Sequence, residues 1–200
     1  DKFESPEARE KSVYYVTFRR ELRAINPNIY NEGDNRIVFI GLQRILEKLF
    51  YEPITHEEID ETKRFLAKAK VTTTGFQEYE FPEEMWRKVV DEFNGRPPIK
   101  IRAVKEGSII YPNEPAIEIT SAVDGMGVLG AWFESKILQV WSRTERVTQD
   151  EHFLNRIKEK IQKVDPEMSE SDLNFLASIM ITDFGDRAGI CSQESEELGM

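Results

Sequence analysis

Residues 99–120 read IKIRAVKEGSIIYPNEPAIEIT. In this stretch the apolar period becomes two, the spacing that places alternate side chains on one face of a strand. IKIRAV (99–104), SIIY (108–111) and AIEIT (116–120) therefore predict three short strands. Glu106-Gly107 and the Pro112–Pro115 segment supply the turns between them. The reading is a small antiparallel β-unit in the middle of the chain.

Working toward the N-terminus, the period is helical. Pro82 opens a helix with Met85, Trp86, Val89, Val90 and Phe93 inward, and Asn94-Gly95 closes it as a C-cap. Thr55 and Glu58 form a T-x-x-E capping box that starts a helix reaching about Ala69. Leu42, Ile45, Leu46 and Leu49 share one helical face. INPNIYNEGDN is turn-rich and reads as a loop, while KSVYYVTF (11–18) is β-branched and aromatic and reads as a strand. Arg19, Arg20 and Arg23 follow that strand.

Toward the C-terminus, Leu129, Trp132, Phe133 and Val140 restore helical spacing over about Val128 to Thr148. A second helix is predicted with Phe153, Leu154, Ile157 and Ile161 inward, ending at Asp165-Pro166. A short helix starts at Ser169, capped by Asp172. SIMIT (178–182) reads as a buried strand entering DFGDRAG, and Ser192-Gln193-Glu194 as a new helix start. Strands mixed with helices give an α+β or α/β class.

The chain has 200 residues, enough for one domain or two small ones that bury roughly 70% of their unfolded surface. It is 40% hydrophobic and 32% charged, a globular composition. The net charge of −10 makes it a poor binder of nucleic-acid backbones and of anionic membranes. The sequence has no apolar run of bilayer length and no secretory h-region at its start. Its single cysteine, Cys191, suits a reducing, cytoplasmic compartment. With only His56 and His152 beside that thiol, no Cys/His zinc site is expected.

Motifs narrow the chemistry further. Gly125-Met126-Gly127-Val128-Leu129-Gly130 is a literal G-x-G-x-x-G with Asp150 twenty residues beyond it. The residues around Asp150 are polar and helical where a dinucleotide fold needs a second strand, so that reading is rejected. No P-loop, nucleophile elbow or H-E-x-x-H is present. His56 and His152 read as solvated surface residues, and Cys191 as a buried one.

Two places are poised for anions. One is Arg19–Arg20 at a strand exit. The other is SIMIT-DFGDRAG-ICSQE, where Gly185, Gly189 and Arg187 offer backbone N–H groups and a guanidinium to a phosphate, and Phe184 offers a face to a flat heterocycle. The competing reading places Phe184 in the core and pairs Arg187 with Asp183, Asp186 or Glu194.

These residues also carry a resemblance. Val13-Tyr14 through Arg20-Glu21, Val38-Phe39-Ile40-Gly41-Leu42-Gln43 with Ile45-Leu46, and Pro98-Ile99 with Ala103-Val104 and Glu106-Gly107 occur in order. Trp132-Phe133-Glu134, Leu138-Gln139 with Trp141, Asp183-Phe184-Gly185 with Arg187, and Ser192-Gln193-Glu194 follow. Together they resemble the nicotinamide phosphoribosyltransferase family of type II phosphoribosyltransferases, over nearly the whole chain.

The resemblance implies helices plus a small antiparallel β-unit leading into an incomplete α/β barrel. It divides the chain into an N-terminal α+β domain (1–125) and the helices and first strand-turn of the barrel domain (126–200). It implies that Phe184 stacks on the pyridine ring of nicotinamide, that Arg187 contacts base and phosphate, and that Arg20 reaches the phosphates of phosphoribosyl pyrophosphate. The reaction would join the two substrates into nicotinamide mononucleotide and pyrophosphate for NAD salvage. Mg²⁺ would be held through the substrate's pyrophosphate, and the enzyme would be a homodimer.

Family members are more than twice as long. Their catalytic histidine, the aspartate that reads the amide and most of the pyrophosphate site belong to a C-terminal half, so no catalytic residue is assigned here. A chain that starts at Asp1 and stops as a helix begins reads as a segment of a longer polypeptide. A nicotinate-specific relative is the close alternative, and a non-catalytic binding module retaining only this half is the second.

Overall fold

The computed structural model describes residues 11–19, 30, 33–68 and 81–181. Among them are five strands: β1 (Val13–Thr17), β2 (Ile37–Val38), β3 (Ile99–Ala103), β4 (Ile109–Ile110) and β5 (Pro115–Ser121). Six helices accompany them: α1 (Leu42–Tyr51), α2 (His56–Lys68), α3 (Glu83–Phe93), α4 (Leu129–Ile137), α5 (Val140–Val164) and α6 (Glu170–Ile179). The class is mixed α+β with small antiparallel sheets, and the described residues form no closed barrel.

One sheet has the order β1-β5-β3. Its β5–β3 register follows from bonds between Ala122 N–H and the Pro98 carbonyl, Thr120 Oγ1 and the Lys100 carbonyl, and Val104 N–H and the Ala116 carbonyl. Each pair sums to the same number, the mark of an antiparallel ladder. The β1 strand is antiparallel to β5 as well. Its end at Phe18 accepts from Asn113 N–H just before β5, and Lys11 at its start pairs with Asp124 just after it.

The second sheet pairs β2 with β4, Ile37 opposite Ile110 and Val38 opposite Ile109. Here the expected single β-unit is corrected. SIIY leaves β3 and β5 to join Ile37–Val38, a strand too short to show any period in the sequence. The ladder continues past β2, with Phe39 N–H donating to the Ser108 carbonyl and Gly107 N–H to the Phe39 carbonyl.

The chain forms two compact units whose boundaries fall within β1, β3 and β5, after the first residue of α1, and between α4 and α5. The first comprises Asp1–Tyr15, Gln43–Arg102 and Glu118–Ile137. In it the Thr55–Glu58 box is fully formed. Thr55 N–H donates to Glu58 Oε2 at 2.8 Å and Glu58 N–H to Thr55 Oγ1 at 3.3 Å, so each satisfies a donor the helix start leaves open.

α3 buries Trp86 and Val89 and ends with Asn94 in the left-handed region, where Gly95 N–H returns to the Val89 carbonyl at 3.0 Å. Phe133, Leu129 and Ile137 of α4 are buried. Trp132 meets Trp86 edge-on at 4.8 Å, and Phe50 stacks on Phe133 at 5.5 Å. Gly130, the last glycine of the G-x-G-x-x-G string, lies under the Tyr14 ring, which a Cβ there would meet at 2.3 Å. Close packing, rather than phosphate binding, explains that glycine.

The second unit comprises Val16–Leu42, Ala103–Ile117 and Leu138–Met200. α5 is one 25-residue helix, so the expected break near Thr148 lies instead at Leu138-Gln139, where Trp141 N–H bonds back only three residues to the Leu138 carbonyl. Neither residue there is a glycine or proline, so the sequence carries no breaker to mark the spot. The inward face is also corrected. Phe153 is 46% exposed, whereas Val140, Arg143, Thr144, Thr148 and His152 are buried.

α6 begins at Ser169, whose hydroxyl accepts from Asp172 N–H, and it buries Leu173 and Ala177. Ser178 and Ile179 belong to this helix, and Ile179 and Met180 are exposed, which overturns the buried strand expected there. The Ser169 cap and the Leu173–Ala177 spacing carry the helix as far as the β-favouring Ile179.

Candidate functional site

Phe184, Arg187 and Arg20, the expected ligand contacts, lie outside the described residues, as does Cys191. One of the chain's approaches to them is well defined. Phe18, the residue before Arg19-Arg20, is buried, stacks on Trp141 at 4.7 Å and gives its carbonyl to Asn113 N–H at 2.7 Å. The Trp141 indole donates in turn to Glu145 Oε2 at 3.0 Å. Arg19 emerges from this anchor exposed.

The described residues concentrate their buried polarity elsewhere, along α5. Thr144, Thr148 and His152 recur every four residues and so share one face. That face meets the free edge of β2. Thr148 Oγ1 accepts Val38 N–H at 2.9 Å. Thr144 Oγ1 accepts Ile40 N–H at 3.2 Å and donates to the Ile40 carbonyl at 3.0 Å. A two-residue strand has backbone groups on the side away from its partner, and buried groups of that kind must be satisfied. Side-chain hydroxyls from a helix do it here.

At the far end of the row His152 is only 3% exposed, correcting its expected place at the surface. Its Nε2 lies 3.0 Å from the Arg36 carbonyl and its Nδ1 3.5 Å from Asp34 Oδ2. Tyr30 presents its ring edge-on at 4.8 Å. Asp34 is held by Arg36 in a fork, Nε to Oδ1 at 2.9 Å and Nη2 to Oδ2 at 2.8 Å. That fork holds the Asp34 carboxyl below the usual carboxylate range and the Arg36 guanidinium above its own.

The near end of the seam is closed by Arg143, buried beneath Gly41. Gly41 has φ +95, and a Cβ on it would meet Arg143 Cδ at 2.4 Å, so both conformation and space require glycine.

His56, by contrast, is exposed as expected. Its Nδ1 lies 3.2 Å from Arg87 Nη1 and its Nε2 2.9 Å from Asp91 Oδ1, which places the ring between a donor and an acceptor.

Chemically, the hydroxyls of the α5 seam are committed to the backbone, which leaves neither threonine poised as a nucleophile. Among the described residues no group of three or more His, Cys, Asp or Glu is arranged to hold a metal ion. No helix among them is long and apolar enough to cross a membrane. The seam was missed in the sequence because Thr, Thr and His at four-residue spacing match a solvated face, and nothing local reveals that a strand edge will cover it.

A model of the family described as "Nicotinamide phosphoribosyltransferase, N-terminal domain" matches residues 3–101. A protein of Xanthomonas campestris pv. campestris (strain 8004) named "Nicotinamide phosphoribosyltransferase" is 28% identical over 194 residues, 97% of this chain. The chain spans 36% of that relative's length. Residues 3–101 thus resemble the N-terminal domain of the nicotinamide phosphoribosyltransferase family, and the likeness to the Xanthomonas protein continues beyond them over nearly the whole chain.

Proposed function

We propose that the polypeptide carrying this chain is a nicotinamide phosphoribosyltransferase. The pyridine nitrogen of nicotinamide would bond to C1′ of the ribosyl group as the C1′–O bond breaks and pyrophosphate leaves with the electron pair. Positioned charge would stabilise the oxocarbenium-like ribosyl centre. The observation that carries this reading is the relative's likeness over 97% of the chain, beyond the 3–101 domain itself.

In this reading Phe184 stacks on the pyridine ring, Arg187 contacts base and phosphate, and Arg20 reaches the phosphates of phosphoribosyl pyrophosphate. All three are ligand contacts rather than chemical catalysts. Mg²⁺ would be held by the substrate's pyrophosphate and would neutralise it as it departs. A homodimer, and a boundary between the two domains at residues 125/126, belong to the same proposal.

The test is Arg187→Ala in the complete enzyme. Loss of a charge-assisted contact raises KM for nicotinamide or phosphoribosyl pyrophosphate roughly 10- to 100-fold. Unchanged KM for both substrates removes Arg187 from the site, and turnover of nicotinate in place of nicotinamide replaces the base assigned here.

A further inference from the structure

We propose that Trp141 is a positioning residue for phosphoribosyl pyrophosphate: its indole fixes the end of β1 through Phe18 and so sets where Arg20 leaves the strand. This rests on the reading of Arg20 as a contact to the substrate's phosphates.

β1 ends at Thr17, so Phe18 must be held by something other than the strand. Two contacts hold it. Its ring, 3% exposed, lies on the Trp141 indole at 4.7 Å with 20° between the planes. Its carbonyl accepts from Asn113 N–H at 2.7 Å. Phe18, Asn113 and Trp141 belong to the same compact unit.

Both supports are themselves fixed. Tyr111-Pro112-Asn113-Glu114 is a turn, in which Glu114 N–H donates to the Tyr111 carbonyl at 3.2 Å and Tyr111 N–H to Glu114 Oε2 at 2.9 Å. Proline at its second position and Asn113 at φ 69 in its third are what a turn with a left-handed residue requires. On the other side, the Trp141 indole N–H donates to Glu145 Oε2 at 3.0 Å, one turn along α5. Gln149 donates to the second oxygen of that carboxylate at 3.3 Å. The stack therefore joins the end of β1 to the first turn of a 25-residue helix.

Arg20 follows Phe18 by two residues, about 7 Å of chain at most. A displacement of Phe18 thus reaches Arg20 with little chain to absorb it. A guanidinium fork on a phosphate is directional, and a misplacement of about 1 Å can cost about 100-fold. The flexible arginine stem recovers part of that, which leaves an effect of about tenfold. Because the phosphates are bound before the ribosyl bond breaks, the loss falls on KM rather than kcat.

Steady-state kinetics of the complete enzyme test this. Trp141→Leu keeps apolar bulk but loses the flat stacking face, and should raise KM for phosphoribosyl pyrophosphate about tenfold. KM for nicotinamide and kcat should stay within about twofold, whereas a general loosening of the fold would move all three. Trp141→Phe restores a ring for Phe18 without the indole N–H and should return KM to within about twofold of the parent. In an Arg20→Ala background, Trp141→Leu should add less than about twofold, because the group it positions is gone.

If Arg20→Ala alone leaves KM for phosphoribosyl pyrophosphate unchanged, the reading of Arg20 fails and takes the proposal with it. If Arg20→Ala raises that KM but Trp141→Leu does not, or raises it equally with Arg20 removed, the positioning role is overturned and Arg20 stands. Phe18→Leu breaks the same stack from the β1 side. Where Trp141→Leu does not fold, a KM unchanged in Phe18→Leu overturns the proposal, and a tenfold rise supports it.

Discussion

A single hydroxyl on Thr144 serves both backbone groups of Ile40, accepting its N–H and donating to its carbonyl. Valine has the same shape without the hydroxyl, so Thr144→Val leaves both groups without that partner inside the fold. The expected loss is about 1–3 kcal/mol. At roughly 2–4 °C per kcal/mol for a chain of this size, a thermal melt resolves it, and Thr144→Ser should recover most of the loss. Gly130 makes the opposite argument about volume. An alanine Cβ would lie 2.3 and 2.5 Å from Tyr14 ring carbons, so the ring or the α4 backbone must shift. Overpacking of about 1–3 kcal/mol outweighs a helix-propensity gain of about 1 kcal/mol. Gly130→Ala should thus lower the urea midpoint, and a rise would show that Tyr14 moves aside freely.

At the scale of elements, the ends were legible and the partners were not. The Thr55–Glu58 box and the Ser169–Asp172 cap depend on residues three apart, so the sequence shows them directly, and both form. Thr55→Ala should cost about 1 kcal/mol, with hydrogen exchange rising first in the opening turn of α2. Equal protection there in the variant would mean that packing of Ile59 holds the turn instead. The ion pairs that join α2 to α3, Lys63–Glu83 and Arg87–Asp60, lie at the surface and contribute little beside these caps. The break at Leu138-Gln139 and the docking of β4 onto β2 were illegible for a different reason. Each depends on residues brought close by the rest of the chain, and neither leaves a glycine, a proline or a period behind.

For the whole molecule, pH dependence reports on the buried polar network. Burial, aided by Glu145, pushes the Tyr30 hydroxyl up to about 12 from 10.0. The folded state thus keeps a proton that the unfolded chain releases. Stability from this source is complete below about pH 10 and falls as pH rises from there toward 12. Tyr30→Phe has no proton to hold, so its unfolding free energy should decline less steeply over that interval. Parallel declines in the two proteins would assign the alkaline loss to other groups.

The candidate ligand residues show the same division between local and distant information. Phe184, Arg187 and Arg20 stood out by residue type beside glycines and a strand exit, and the blocks around them carried the family resemblance. Periodicity, caps and turn residues determined the α+β class, the described helices in outline apart from the break between α4 and α5, and four of the five described strands near their observed positions. These features depend on spacings of two to four residues, which the sequence carries explicitly. Tertiary structure alone decided that Thr144, Thr148 and His152 face inward, because β2 and the residues beside it bring the Ile40 and Val38 N–H groups and the Arg36 carbonyl to them from more than a hundred residues away. Polarity was the wrong guide there. A buried strand edge needs hydrogen-bonding side chains, and a sequence pattern records a residue's polarity without recording what will cover it.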